Sequence, residues 1–89
     1  MSWELQTTSR FDKAIKKLDR TAALQVLGAL DRIAALEDPR STGKALTGHL
    51  SSYWRYRIGD YWGLAEIQDS RLIIVAVDVG HRSTVYRRA

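Results

Sequence analysis

Eighty-nine residues suffice for one domain with one modest hydrophobic core and are too few for two, and 45% hydrophobic with 27% charged residues is the composition of a chain that folds. The absence of cysteine excludes disulfides and thiolate metal ligands, and the two histidines, His49 and His81, are too few for a histidine zinc cluster, so no metal and no cofactor is expected. A formal net charge of +4 favours a polyanionic partner, either nucleic acid or an acidic protein.

Residues 1–9 lack the continuous apolar run of a signal peptide, and no stretch approaches the roughly 18 apolar residues of a membrane span, so a cytoplasmic protein without a membrane partner is expected. Trp3 to Thr8 alternates Trp3, Leu5 and Thr7 against Glu4 and Gln6, which predicts a short strand with one buried face. From Ser9 the period changes. Phe11, Ala14, Ile15 and Leu18 fall at helical spacing behind Ser9 as N-cap, and Lys13, Lys16, Lys17 and Arg20 form the wet face. Thr21 is a second predicted N-cap. Behind it Leu24, Val26, Leu27, Leu30, Ile33 and Leu36 carry a helical stripe to the break at Glu37-Asp38-Pro39. The two helices form an antiparallel hairpin turned near Asp19 and Arg20.

Residues 40–52 are rich in Ser, Thr and Gly and read as a loop anchored by Leu46 and Leu50. Tyr53 to Ile58 alternates, Gly59-Asp60 is a two-residue turn signal, Tyr61 to Ile67 alternates again, and Gln68-Asp69-Ser70 marks another turn. Leu72 to Val79 is a nearly continuous β-branched run suited to a central strand, and Thr84 to Tyr86 is a short last strand. The predicted fold class is α+β: an N-terminal strand, a two-helix hairpin, then a mainly antiparallel four-stranded sheet, β-α-α-β-β-β-β, in one domain over 1–89. With the helices on one face of the sheet, the other face is free for function.

Between Arg40 and Arg57 lie Arg40, Lys44, Arg55 and Arg57 with no acidic residue. Strand alternation points Trp54, Tyr56 and Ile58 toward the helices and Arg55 and Arg57 to the open face. There guanidinium groups either grip phosphates bidentately or stand as an ordinary solvated strand face. The tail from Gly80 adds His81, Arg82, Tyr86, Arg87 and Arg88, again without an acid. A histidine moves protons near neutral pH, an arginine stabilises a pentavalent phosphorane, and a tyrosine stacks on a base or donates a proton; together these are the parts of a metal-free ribonuclease. No P-loop, dinucleotide fingerprint or nucleophile elbow is present. Asp60, Glu66, Asp69 and Asp78 are expected to be solvated or salt-bridged. Glu66 alone is a candidate to approach the arginines, since Trp62, Leu64 and Glu66 share one strand face.

The order of elements, the segment Trp54-Arg55-Tyr56-Arg57-Ile58-Gly59-Asp60-Tyr61, the Ala65-Glu66-Ile67 hairpin and the ending Val79-Gly80-His81-Arg82-x-x-Val85-Tyr86 together resemble the RelE/ParE superfamily of toxins from type II toxin–antitoxin systems. The resemblance spans nearly the whole chain. It implies a compact microbial-RNase-like RelE fold and, for RelE-type members, a domain that enters the ribosomal A site and cuts messenger RNA by attack of a 2′-hydroxyl on the adjacent phosphate. By position it gives Arg55 and Arg57 the holding of RNA and assistance in proton transfer, Arg82 the stabilisation of the transition state, Tyr86 contact with the reacting base, and His81 an auxiliary acid or base. Lys44, Trp62, Arg87 and Arg88 join them as RNA-binding candidates. The implied partners are a cognate antitoxin in a hetero-oligomer, the ribosome and mRNA. One departure stands out: relatives carry Gly-Asp-Tyr-Arg at the hairpin, whereas this chain reads Gly59-Asp60-Tyr61-Trp62. Loss of a preorganised cation costs roughly 3 kcal/mol of transition-state stabilisation, on the order of a hundredfold in rate. Two further readings therefore stand beside the nuclease: a ParE-like poison of DNA gyrase, and a catalytically weakened toxin that mainly binds its antitoxin.

Overall fold

The computed structural model describes residues 3–81. Strand β1 (Glu4–Thr7) leads into α1 (Ser9–Lys16) and α2 (Arg20–Ala34), and four strands follow: β2 (Lys44–Ala45), β3 (Trp54–Ile58), β4 (Tyr61–Gln68) and β5 (Ile73–His81). They make one five-stranded sheet in the order β1-β5-β4-β3-β2, with β1 parallel to β5 and the other pairs antiparallel. The predicted strand Thr84–Tyr86 lies outside the described residues.

The helix caps lie one and two residues before the predicted ones. Thr8, not Ser9, accepts from the Phe11 N–H at 3.1 Å, and Asp19, not Thr21, accepts from the Ala22 N–H at 2.8 Å. An N-cap needs extended backbone beneath its side-chain oxygen, and Thr8 and Asp19 have it, with ψ of 163° and 164°. The buried stripe of α2 runs through Ala22, Val26, Leu30, Ile33 and Ala34. Leu24 was expected on it but is 59% exposed, because a step of about 100° per residue carries position 24 to the opposite side from 22 and 26.

The core lies between the helices and one sheet face, where Phe11, Val26 and Leu30 meet Tyr56, Ile58, Ala65, Ile74, Ala76 and Val79. The β-branched run becomes β5, the strand between β1 and β4, as its composition demands.

The segment read as a loop holds one more strand. Lys44 and Ala45 pair with Arg55 and Trp54, which turns the cationic stretch into the edge of the sheet. Gly43 makes this approach possible. Its φ is +79°, and a Cβ there would collide with the Arg55 carbonyl oxygen and lie 2.6 Å from Trp54 Nε1.

Candidate functional site

The site begins with a tight hairpin. Gly59, at φ +59°, and Asp60 join Ile58 to Tyr61, so Arg57 lies opposite Trp62 and Arg55 opposite Leu64. Directly paired residues share a face, which puts Arg55, Arg57, Trp62 and Leu64 together on the sheet face away from the helices. On the other side of β3, Lys44 pairs with Arg55. Lys44, Arg55, Arg57 and the Gly43 backbone line a hollow of about 300 Å³ with no acidic side chain on its wall.

Trp62 shapes this site. The Arg55 guanidinium carbon sits 4.4 Å from the centre of the Trp62 ring, within cation–π range. Trp62 is half-buried and belongs to the open face, as strand alternation predicted. Arg57 is exposed, and its Nε reaches only the Gly59 carbonyl at 3.5 Å. Cations so close repel one another, and an anion seated among them relieves that repulsion.

Arg40, counted among the basic cluster, is committed elsewhere. It makes a bidentate pair with Asp69 at 2.7 and 2.9 Å and lies 6.0 Å from the Trp54 ring centre. The bond to Arg40 holds the Asp69 carboxyl below its ordinary range, and that same bond raises the guanidinium. Behind it, Trp54 Nε1 donates to the Thr42 carbonyl at 2.7 Å and Tyr56 Oη to the Pro39 carbonyl at 2.6 Å. Burial pushes the Tyr56 hydroxyl up to about 12. These contacts anchor the segment that carries Lys44.

Of the remaining predicted residues that the structure describes, His81 is not gathered at the hollow. His81, exposed at the end of β5, lies opposite Tyr61, and their rings meet edge to face at 6.3 Å. Since Tyr61 packs against the core, the register gives His81 the helix side of the sheet rather than the side of Arg55 and Arg57. Glu66 shares the open face and accepts from the Gln68 amide at 2.9 Å. Arg82, Tyr86, Arg87 and Arg88 lie outside the described residues. Asp78, expected to be solvated or salt-bridged, is salt-bridged, but its burial and its partner were not foreseen: 1% exposed, it accepts from the Val79 N–H at 2.8 Å and pairs with Arg10 at 3.3 Å. An aspartate interrupting a β-branched run was the available signal. Among the described residues no group of three or more His, Asp or Glu is placed to hold a metal ion, and no helix is long and apolar enough to cross a membrane.

Comparison with known proteins agrees with this architecture. A family profile described as the ParE toxin of the type II toxin–antitoxin system, parDE, matches residues 5–86. No curated protein matches the chain. Among solved structures, an arginine-to-alanine mutant of the E. coli toxin RelE in the free state is similar with a TM-score of 0.79 at 22% identity, over 100% of this chain and 95% of that one. A chain of the RelBE2 toxin–antitoxin complex from Mycobacterium tuberculosis gives 0.73 at 24% identity, over 93% and 94%. A chain of the archaeal RelE–RelB complex from Pyrococcus horikoshii gives 0.72 at 20%, over 96% and 100%. At these identities the likeness is one of fold, and the profile match carries the family. The chain is therefore a member of the ParE toxin family of type II toxin–antitoxin systems, within the RelE/ParE superfamily, built on the RelE-like α+β fold.

Proposed function

We propose that this toxin acts in the cytoplasm as a ribosome-dependent endoribonuclease that cuts mRNA and is neutralised by a cognate antitoxin in a hetero-oligomer. The observation that carries the reading is the convergence of Lys44, Arg55 and Arg57 on one acid-free hollow of the open sheet face. A phosphodiester seated there has its charge met from three directions. When the 2′-hydroxyl attacks the phosphorus, negative charge grows on the non-bridging oxygens, and fixed guanidinium groups stabilise that state more than the ground state. As the new P–O bond forms, the bond to the 5′-oxygen breaks; the 2′-hydroxyl proton leaves to a base, and the departing oxygen takes one up. Arg55 and Arg57 hold the phosphate and assist proton transfer, Arg82 supplies transition-state charge, and Tyr86 contacts the base. Trp62, Lys44, Arg87 and Arg88 bind RNA, whereas His81, on the helix side of the sheet, is not given the role of auxiliary acid or base. These roles need no metal.

The gyrase reading has one observation in its favour: the matching profile is described by its ParE members, and position 62 lacks the arginine of the nuclease pattern. A reconstituted translation system with primer extension on the mRNA, run beside a gyrase supercoiling assay, decides between them. Cuts that appear only when ribosomes are present support the nuclease, and gyrase-dependent DNA breaks without RNA cuts overturn it. Neither activity leaves the weakened toxin that mainly binds its antitoxin.

A further inference from the structure

The open sheet face changes character along β4. Trp62, Leu64, Glu66 and Gln68 follow one another on it, so a path leads from the cationic hollow, over the buried Leu64, to a carboxylate. Glu66 stands about 7 Å along the strand from Leu64, the residue that pairs with Arg55. The Arg55 guanidinium turns the other way, onto Trp62, and among the described residues no Lys or Arg is within salt-bridge distance of Glu66. A carboxylate next to a phosphate site repels the backbone of a nucleic acid. Its attraction is for a base, whose N–H groups it accepts.

Gln68 completes a pattern. Its Nε2 donates to Glu66 Oε1 at 2.9 Å, which holds the carboxylate and leaves the second amide N–H beside it. The pair therefore presents a row of one donor and two acceptors. Val75 and Ile73 of β5 lie opposite Glu66 and Gln68 and bring half-buried apolar side chains to the same face, a floor for a flat ring.

The bases differ in how they meet this row. The Watson–Crick edge of guanine reads acceptor, donor, donor, from O6 through N1–H to N2–H, which is the complement of the row. Uracil, adenine and cytosine each set at least one acceptor against a carboxylate oxygen. We infer that Glu66 and Gln68 form a base-reading site, selective for guanine, for the nucleotide whose phosphate lies in the cationic hollow. The inference rests on RNA being the ligand of that hollow.

Fluorescence anisotropy on the full chain, with short single-stranded RNAs that are abasic except at one nucleotide, tests it. The guanine strand should bind at least about tenfold more tightly than the uracil, adenine or cytosine strand. Hypoxanthine, which lacks only the N2 amino group of guanine, should lose most of that advantage. Glu66→Gln turns the row into donor, acceptor, donor, the complement of uracil, so the order of guanine and uracil should reverse. Glu4→Gln is the control. Glu4 lies on the same face beyond β5 and accepts from the Gln6 amide at 2.7 Å, so this variant removes the same charge from a site further from the hollow. It should raise affinity for every strand alike and leave the advantage of guanine as in the parent. Circular dichroism should show both variants folded, since neither position is buried. The inference is overturned if the parent binds the four bases alike, if Glu66→Gln keeps the parent's order, or if Glu4→Gln alters that order as much. Binding without base preference removes the base site and leaves the phosphate hollow standing. No binding of any strand also overturns the inference, and the nuclease reading is then decided by the translation assay alone.

Discussion

Along β3 the inward side chains are tied at their far ends and the outward ones are not tied to the core. Trp54 and Tyr56 both donate to backbone carbonyls of the segment before β2, at 2.7 and 2.6 Å. Arg55 and Arg57, one residue away in each case, face the hollow; one lies on the Trp62 ring and the other is exposed. The inward set therefore bears on whether the chain folds, and the outward set on what the folded chain binds. Two adjacent positions can thus fail in unrelated ways.

The largest contrast is expected between Tyr56→Ala and the arginines. Removing a buried aromatic leaves a cavity and an orphaned Pro39 carbonyl, so Tyr56→Ala should lose about 4 kcal/mol of stability in urea unfolding. Arg57→Ala should change unfolding by less than about 0.5 kcal/mol and Arg55→Ala, which gives up the Trp62 contact, by about 1 kcal/mol, yet each should lower ribosome-dependent cleavage on the order of a hundredfold. An arginine variant that unfolds like Tyr56→Ala would erase the division between the two faces.

Trp62 sharpens the comparison from the open side. Replacing it with arginine removes a cation–π contact worth about 1 kcal/mol and adds a second guanidinium beside Arg55. The gain from a fixed cation at the phosphate, about 3 kcal/mol, exceeds that loss. Trp62→Arg should therefore raise cleavage on the order of tenfold, and Trp62→Leu, which loses the stack and adds no charge, should lower it. Single-turnover cleavage of ribosome-bound mRNA reads both.

The smallest effect belongs to the inner face again. Tyr56→Phe keeps the ring and loses one hydrogen bond, a cost of about 1 kcal/mol near neutral pH. Because the folded-state hydroxyl lies above its ordinary value of 10.0, at about 12, its contribution to stability is full below pH 10 and is lost as pH rises through 12. An alkaline unfolding series should show that loss in the parent chain and a flatter curve in Tyr56→Phe.

Much of this was legible in the amino-acid order, because period is a local property. Alternation at residues 53–58 and 61–67, with Gly59-Asp60 between them, determined the hairpin, its register and the opposed placement of Tyr56 and Arg57. Helical spacing determined both helices, although their caps shifted once the backbone geometry of Thr8 and Asp19 was in place. What tertiary structure alone decided were contacts between segments far apart in the chain. Lys44 and Ala45 carry too short a pattern to announce a strand, and they become one because Gly43 lets the chain lie against β3. Arg40 belongs by sequence to the basic cluster, yet Asp69, distant along the chain, takes its charge. Arg10 and Asp78 meet across 68 positions for the same reason. His81 follows the strand period onto the helix side, where only the pairing with Tyr61 reveals its neighbours. Side-chain period lies within a segment, whereas the partner of a charge or the neighbour of an edge strand depends on which segments packing brings together.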